Sequence, residues 1–458
     1  MSSTPQVGEA RPSFISTLAV YGRRRVLIVL FLGFSAGLPL ALSGSTLLYW
    51  MREAGVDLRT IGLFALVGTP YTIKFLWAPL VDALDVPVLS ALLGRRRGWL
   101  VLSQLLLMAA IILLGLCDPA TAPWLVAIGA LLVATASSTQ DIVIDAFRVE
   151  SLSESEQAAG MASYVAAYRI GMLVSGAGAL FLVSGMERLG LAQHAAWAMA
   201  YAIMAVLVLA GLATTLSATE PEKSEAAEID HAAHAKQSPL RRVIDAAVAA
   251  FSEFLTRDFA FAALAFVVLF KLSDAFSGVM TAPFVIDIGF SRDEYATIVK
   301  GVGLTATLVG GFAGGFVARA YPLATSLWIG GILQSIANLA FCWLAVVGAS
   351  TAALTFAITA ENFTSAIGTV IFVAYLSALC QNPLHTATQY ALLTALAAFG
   401  RTYLSSGAGF VAVATGWVWF FAICAAVGIP SLLLLAYLQR RGHFAALEKP
   451  PEAVPGST

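Results

Sequence analysis

The 458-residue chain is 59% hydrophobic and 12% charged, well below the roughly 25% charge of an ordinary soluble domain. That composition excludes a water-soluble globular protein, and the net charge of −1 identifies no partner, because the distribution of charge carries the information. Cys117, Cys342, Cys380 and Cys424 lie in or beside apolar runs without C-x-x-C spacing, which suits small packing hydrophobes and not a metal or redox site.

In chain order, Arg23, Arg24 and Arg25 precede an apolar run that continues to Trp50 without a cleavage site. It reads as a first span and not as a removed signal. Runs such as Trp99 to Leu116 and Trp124 to Ala136 carry no formal charge, and about 20 residues at about 1.5 Å each cross a bilayer core. Spans are placed at 26–50, 61–82, 99–117, 121–144, 157–183, 195–216, 259–281, 294–317, 323–347, 351–380, 386–413 and 416–438. The predicted fold is therefore all-α and integral to the membrane, with about twelve helices. Residues 217–257 form the one long polar interval, with Glu220, Glu222, Glu225 and Glu228. Its later part, Pro239 to Arg257, sets Val243, Ala247, Phe251 and Phe254 against Arg241, Arg242 and Asp245, the pattern of an amphipathic helix on a membrane surface. His231 and His234 in the same interval read as solvated loop rather than metal ligands. The predicted organisation is a six-helix bundle at 1–216, a linker at 217–257, a second six-helix bundle at 258–440 and a tail at 441–458. Lys and Arg crowd the segments on the N-terminal side of the bilayer, Arg95, Arg96 and Arg97 among them, so both termini and the linker are predicted cytoplasmic.

Two spans share a pattern. Span five carries Arg169 and then Ser175, Gly176, Ala177 and Gly178; span eleven carries Arg401 and then Ser406, Gly407, Ala408 and Gly409. These are equivalent positions in two six-span halves, as in transporters built from parallel repeats that hold substrate between them. The ionisable residues inside spans are Lys74, Arg169, Lys271, Asp274, Lys300, Glu361 and Arg401. Each costs on the order of 3 kcal/mol at a helix centre, so most are expected to line a watery interior. Surplus positive charge there favours an anionic solute, and guanidinium suits bidentate contact with carboxylate or phosphate. Lys271 and Asp274, three apart, share a helical face and also fit a structural ion pair. Asp82, Asp141, Asp145 and Arg148 fall at the cytoplasmic ends of spans and read as an inner gate. Gly33, Gly37, Pro39 and Pro70 supply breakable backbone. Gly33 to Gly37 fits G-x-S-x-G and Asn362 to Thr364 fits a glycosylation sequon, but both lie within apolar helix and are rejected. With no G-x-x-x-x-G-K-[ST] and no histidine in the spans apart from His385 at a helix end, neither direct ATP drive nor an intramembrane enzyme is expected.

Blocks through nearly all spans carry a family likeness: GFSAGLPLALSGSTLLYW, TPYTIKFLWAPLVDAL, STQDIVIDAFRVE, AYRIGMLVSGAG, LFKLSDAF, TAENFTSAIGT and TATQYALL. In these the chain resembles the AmpG-type muropeptide permeases of the major facilitator superfamily, which are related to acetyl-CoA transporters. The resemblance implies proton-driven import of N-acetylglucosaminyl-anhydro-N-acetylmuramyl peptides across the bacterial inner membrane for cell-wall recycling. It also implies a link to β-lactamase induction, and so to β-lactam resistance. The substrate carboxylates are expected to meet Lys74, Arg169, Arg401 and Lys271, and its sugars aromatic residues such as Tyr71, Tyr164, Tyr168 and Trp50. Glu361, with Asp274 as second choice, is expected to carry the proton. Acetyl-CoA or another anion satisfies the same basic interior. The expected partners are the muropeptide, protons and lipid, with no nucleic acid and no cofactor, and the chain is expected to work as a monomer.

Overall fold

In hydrocarbon every backbone N–H and C=O must be bonded within the chain, and apolar runs do this as helices. The computed structural model describes residues 20–221, 255–256, 258–380 and 386–447, and it is helical with no strand among the described residues. Among these residues, ten helices are long and apolar enough to cross a membrane. The longest, Leu392–Arg440, spans 49 residues, but Gly416 within it has φ 73° and ψ 169°, a conformation that only glycine adopts readily. Gly409 lies against Leu58 while Tyr437 packs on Phe259, so the arms on either side of Gly416 run in opposite directions. Segment 58–83 is helical in pieces, Leu58–Leu63, Phe64–Gly68, Thr69–Ile73, Lys74–Leu76 and Ala78–Ala83. Pro70 and Pro79 each remove an amide donor there and interrupt the ladder. Counting the two arms separately and adding this broken segment to the ten brings the passes to twelve.

We number them α1 (Arg24–Glu53), α2 (58–83), α3 (Arg95–Leu116), α4 (Pro123–Ser151), α5 (154–188) and α6 (Gln193–Ser217) in the first half. The second half holds α7 (Ala260–Asp287), α8 (Arg292–Ala320), α9 (Leu323–Val347), α10 (Thr351–Leu379), α11 (386–415) and α12 (417–440). The face from which α1 starts is called the terminal face, and the opposite one the distal face. The interval 222–254, with most of the surface helix expected at 239–257 and with His231 and His234, lies outside the described residues, as do 1–19, 257, 381–385 and 448–458.

Close approach of backbones assembles the halves. A Cβ on Gly37 would sit 2.1 Å from the Tyr168 carbonyl oxygen, and one on Gly171 would sit 2.4 Å from that of Phe34. Glycines therefore let α1 and α5 pack backbone to backbone, as small residues do in membrane bundles. This corrects the expectation that Gly33 and Gly37 mark a break. The helix of α1 breaks instead at Gly44, between Arg24–Ser43 and Ser45–Glu53, and α7 breaks at Lys271, between Ala260–Phe270 and Leu272–Asp287. The repeated motifs in α5 and α11 also leave α-geometry, as π turns at Val174–Gly178 and Gly400–Leu404. A further π segment occupies Tyr295–Val302 of α8. Such turns occur often at functional sites.

The buried apolar residues are distributed unevenly. One cluster runs through both halves toward the distal face, where Tyr49 of α1 meets Tyr295 of α8 with ring centroids 4.7 Å apart. Toward the terminal face each half keeps its own cluster, Phe266, Phe270, Tyr375 and Leu435 in one, Leu100, Val143 and Phe147 in the other. The halves thus share a core at one face only. Large apolar side chains such as Phe312 (84% exposed) and Trp419 point outward, as a lipid-facing surface requires.

Candidate functional site

Two adjoining cavities of about 260 and 480 Å³ lie between the halves, and Ser45 and Gly278 line both. Ser45 is placed there by the break at Gly44, which it immediately follows. The smaller chamber is faced by Arg169 of α5 and by Tyr295, Lys300, Glu361 and Asn362 of α8 and α10. The larger is faced by Tyr71 and Tyr168 of α2 and α5 and by Asp274, Arg401 and Thr402 of α7 and α11. Thr72 and Thr402 hydroxyls meet across the halves at 3.3 Å.

The intramembrane cations fall into two kinds. Lys271 pairs with Asp274 and donates to Ser365 O and Oγ, both at 3.3 Å, and to Gln334 Oε1 at 3.5 Å. Asp274 also accepts from Ser365 Oγ at 2.7 Å. This network ties the break in α7 to α9 and α10, and Lys271 lines neither chamber. Lys74 likewise has acids of its own half within electrostatic range, Asp141 and Asp145 of α4. It lines neither chamber, in contrast to Tyr71 one turn before it. Arg169, Arg401 and Lys300 differ: among the described residues none is paired with a carboxylate. Arg169 is exposed to the cavity. Arg401 has Tyr168 of the other half within electrostatic range. Lys300 reaches across the halves to Ser45 Oγ, with its ammonium 5.4 Å from the centroid of the Tyr295 ring.

Of the residues singled out in the sequence, the cavities bring together Arg169, Arg401, Tyr71, Tyr168, Asp274 and Glu361. Tyr164 stands beside Tyr168, centroids 6.0 Å apart, with Asp141, Asp145 and Arg148 in electrostatic range. Trp50 is 2% exposed and stacks on Trp197 at 5.2 Å, so it belongs to the core and not to a sugar platform. Lys300 had no place among the expected ligands, although its type and depth marked it as strongly as Arg169.

The charges expected to gate the terminal face sit differently from that reading. α4 extends to Ser151, which puts Asp141 about 15 Å from the helix end at about 1.5 Å per residue, deep rather than at the edge. Arg148 pairs with Asp145 of its own helix at 3.9 Å. Asp82 lies in Ala78–Ala83, its side chain outside the described residues. Among the described residues, the ion pairs that join the halves are all at the distal face. Arg292 Nη2 donates to Glu53 Oε1 at 2.5 Å and Arg292 Nη1 to Glu187 Oε2 at 2.7 Å. Arg52 Nε donates to Asp287 Oδ1 at 2.5 Å, and Arg188 pairs with Asp293. Trp197 Nε1 donates to Glu53 at 2.9 Å and Trp417 Nε1 to Asp287 at 3.2 Å. Together with the shared apolar core this seals the cavities from the distal face. The sequence offered one signal, opposite charges clustered at the ends of α1, α5, α7 and α8, which resembled ordinary solvated loops.

The sequence pattern described as Major Facilitator Superfamily matches residues 43–403. The anhydromuropeptide permease of Escherichia coli strain K12 is 38% identical over 421 residues, covering 91% of this chain and 80% of that protein. Putative transporter AmpG 4 of Rickettsia felis is 35% identical over 419 residues, 91% of this chain and 97% of its own. Among solved structures, the nucleoside transporter NupG superposes with a TM-score of 0.67 at 15% identity, covering 93% of this chain and 100% of that one. The D-xylose-proton symporter does so with a TM-score of 0.62 at 13% identity, covering 92% and 97%.

Proposed function

Because the chain belongs to the major facilitator superfamily, and within it to the family of the anhydromuropeptide permeases, we propose that it carries anhydromuropeptides across the bacterial inner membrane into the cytoplasm. The observation that carries this reading is the set of three cations, Arg169, Arg401 and Lys300, facing the inter-half cavities with no carboxylate partner among the described residues. A cation kept at membrane depth without a carboxylate costs free energy unless water or a ligand satisfies it, and the carboxylates of a peptide-bearing sugar do so. Tyr71 and Tyr168 in the larger chamber offer flat apolar faces to a pyranose ring. In this reading the terminal face is cytoplasmic, both ends of the chain lie there, and the protein works as a monomer. Uptake is coupled to protons through Glu361. One charge moving through 100 mV releases about 2.3 kcal/mol, enough to support a gradient without ATP.

The test is uptake into proteoliposomes of labelled anhydromuropeptide and, separately, labelled acetyl-CoA, with and without an inward proton gradient. Gradient-stimulated uptake of the muropeptide alone supports the proposal. Uptake of acetyl-CoA in its place would transfer the same cavity to a different anion.

A further inference from the structure

The smaller chamber is not simply basic. Glu361 lines it together with Arg169 and Lys300, yet among the described residues the acid forms no ion pair with either cation. One carboxylate oxygen of Glu361 accepts from Asn362 Nδ2 at 2.8 Å, and the other has no hydrogen-bond partner among the described residues. Asn362 is itself held, donating to Ile358 O at 3.0 Å and accepting from Thr307 Oγ1 at 3.2 Å. On the opposite pole Lys300 is held by Ser45 Oγ and lies near the Tyr295 ring. The chamber therefore holds the Glu361 carboxyl and two cations around a space of about 260 Å³, with no ion pair between them among the described residues.

A purely anionic ligand would satisfy the cations and leave the Glu361 carboxyl without a partner. A ligand with an ammonium and a carboxylate on neighbouring atoms satisfies both poles at once, and a volume of this size accommodates one amino-acid end. We propose that the smaller chamber recognises a zwitterionic amino-acid end of the substrate's peptide arm, its ammonium at Glu361 and Asn362 and its carboxylate at Lys300 and Arg169. The sugars then occupy the larger chamber beside Tyr71, Tyr168 and Arg401. This rests on the function proposed above and adds an orientation: peptide end toward α8 and α10, sugars toward α2 and α11. It also makes Lys300 a specificity-determining residue.

The experiment uses the full-length protein in proteoliposomes with four labelled probes. They are an anhydromuropeptide whose peptide ends in a residue bearing both a free amine and a free carboxylate, the same compound with that amine acetylated, the same with that carboxylate amidated, and the peptide-free anhydrodisaccharide. Losing one charge-assisted contact corresponds to a factor of about ten or more in affinity. The wild type should pay that factor for either modification. Read by competition in exchange without a proton gradient, which the coupling role of Glu361 does not enter, Glu361→Gln should erase the acetylation penalty and keep the amidation penalty; Lys300→Met should do the reverse. Peptide-bearing probes carried with equal affinity by the wild type would overturn the inference while leaving the transport function standing, and this arm decides even where a variant fails to reach the membrane. Penalties unchanged in both variants would overturn it as well. A wild-type protein that carries none of the four overturns the proposed function itself.

Discussion

Replacing Arg169 or Arg401 by alanine removes a guanidinium with no carboxylate partner among the described residues, so the fold should lose little. A charge-assisted hydrogen bond to substrate is worth roughly 1.5–3 kcal/mol, and each alanine variant should bind the muropeptide about tenfold to a hundredfold more weakly. Lysine should restore only part of this, because it lacks the planar fork. Equilibrium binding on purified protein checks the effect, and unchanged affinity in both variants would make these arginines structural. Lys271 should behave in the opposite way. Its loss leaves the half-buried Asp274 without its cation, so Lys271→Met should lower the amount of folded protein, and Lys271→Met with Asp274→Asn should recover it. Quantitative membrane blots distinguish the two patterns. Glu361→Gln should abolish accumulation driven by a pH gradient and retain exchange at saturating substrate; full accumulation would move the coupling role to Asp274. The identity and depth of these side chains were legible in the sequence, because a charge inside an apolar run must have a reason. Their surroundings were not: Lys74 has Asp141 of another helix within electrostatic range, and one-dimensional spacing reports only neighbours on the same helix, as with Lys271 and Asp274.

Most helix boundaries were legible to within about a turn, since the bilayer core sets the length of a span, but α4, α5 and α7 run on to Ser151, Arg188 and Asp287, past the ends predicted at 144, 183 and 281. The internal breaks at Gly44 and Lys271 were hidden, because an isolated glycine or lysine in a membrane helix has several other uses. Segment 58–83 was legible as a span but not as a chain of short helices, although Pro70 and Pro79 account for that. Its start is set by Asp57, which accepts from Arg59 N at 3.0 Å, Thr60 N at 3.1 Å and Thr60 Oγ1 at 2.6 Å. This cap aims Leu58–Leu63 at α11, where a Cβ on Gly409 would come within 1.8 Å of the Leu58 carbonyl oxygen. Asp57→Ala should cost about 1 kcal/mol, the usual worth of an N-cap, read as a lower melting temperature in detergent. The Thr60 hydroxyl, with the two amides, favours the ionised carboxylate and holds its pKa below the ordinary value. The contribution is therefore present above the unfolded carboxylate pKa and is lost as pH falls through the depressed one. The difference between wild type and Asp57→Ala should shrink on acidification; a difference that grows would contradict the cap.

At the scale of the whole molecule the two-bundle plan was legible from the span count and the repeated motifs around Arg169 and Arg401, whereas the conformation was not, since it depends on which face the halves share. Orientation and closure can be tested together. Gln193 is exposed at the distal start of α6, and Gln193→Cys, with Cys117 replaced, should react with an impermeant thiol reagent added outside intact cells. Protection there would reverse the proposed topology. Thr281 lines the smaller chamber, behind the distal seal, so Thr281→Cys should resist the same reagent. The seal centres on Arg292, 8% exposed, whose guanidinium bonds Glu53 and Glu187 and lies 5.6 Å from the Trp197 ring. Removing one partner of a buried ion pair typically costs about 3–5 kcal/mol. Glu53 and Glu187 belong to the first half and Arg292 to the second, so most of that cost should fall on the distal-closed state and little on the fold of either bundle. Shifting a two-state equilibrium from 1:99 to 99:1 takes about 5.5 kcal/mol, so a loss of this size should move a mostly closed population to a substantially open one. Arg292→Ala should therefore expose Thr281→Cys to the outside reagent at a normal membrane level, and Arg292→Lys should give intermediate labelling, since it keeps the charge without the fork. Thr281→Cys that stays protected in the Arg292→Ala background would show that the aromatic and glycine contacts of the shared core hold the distal face shut without the ion pairs.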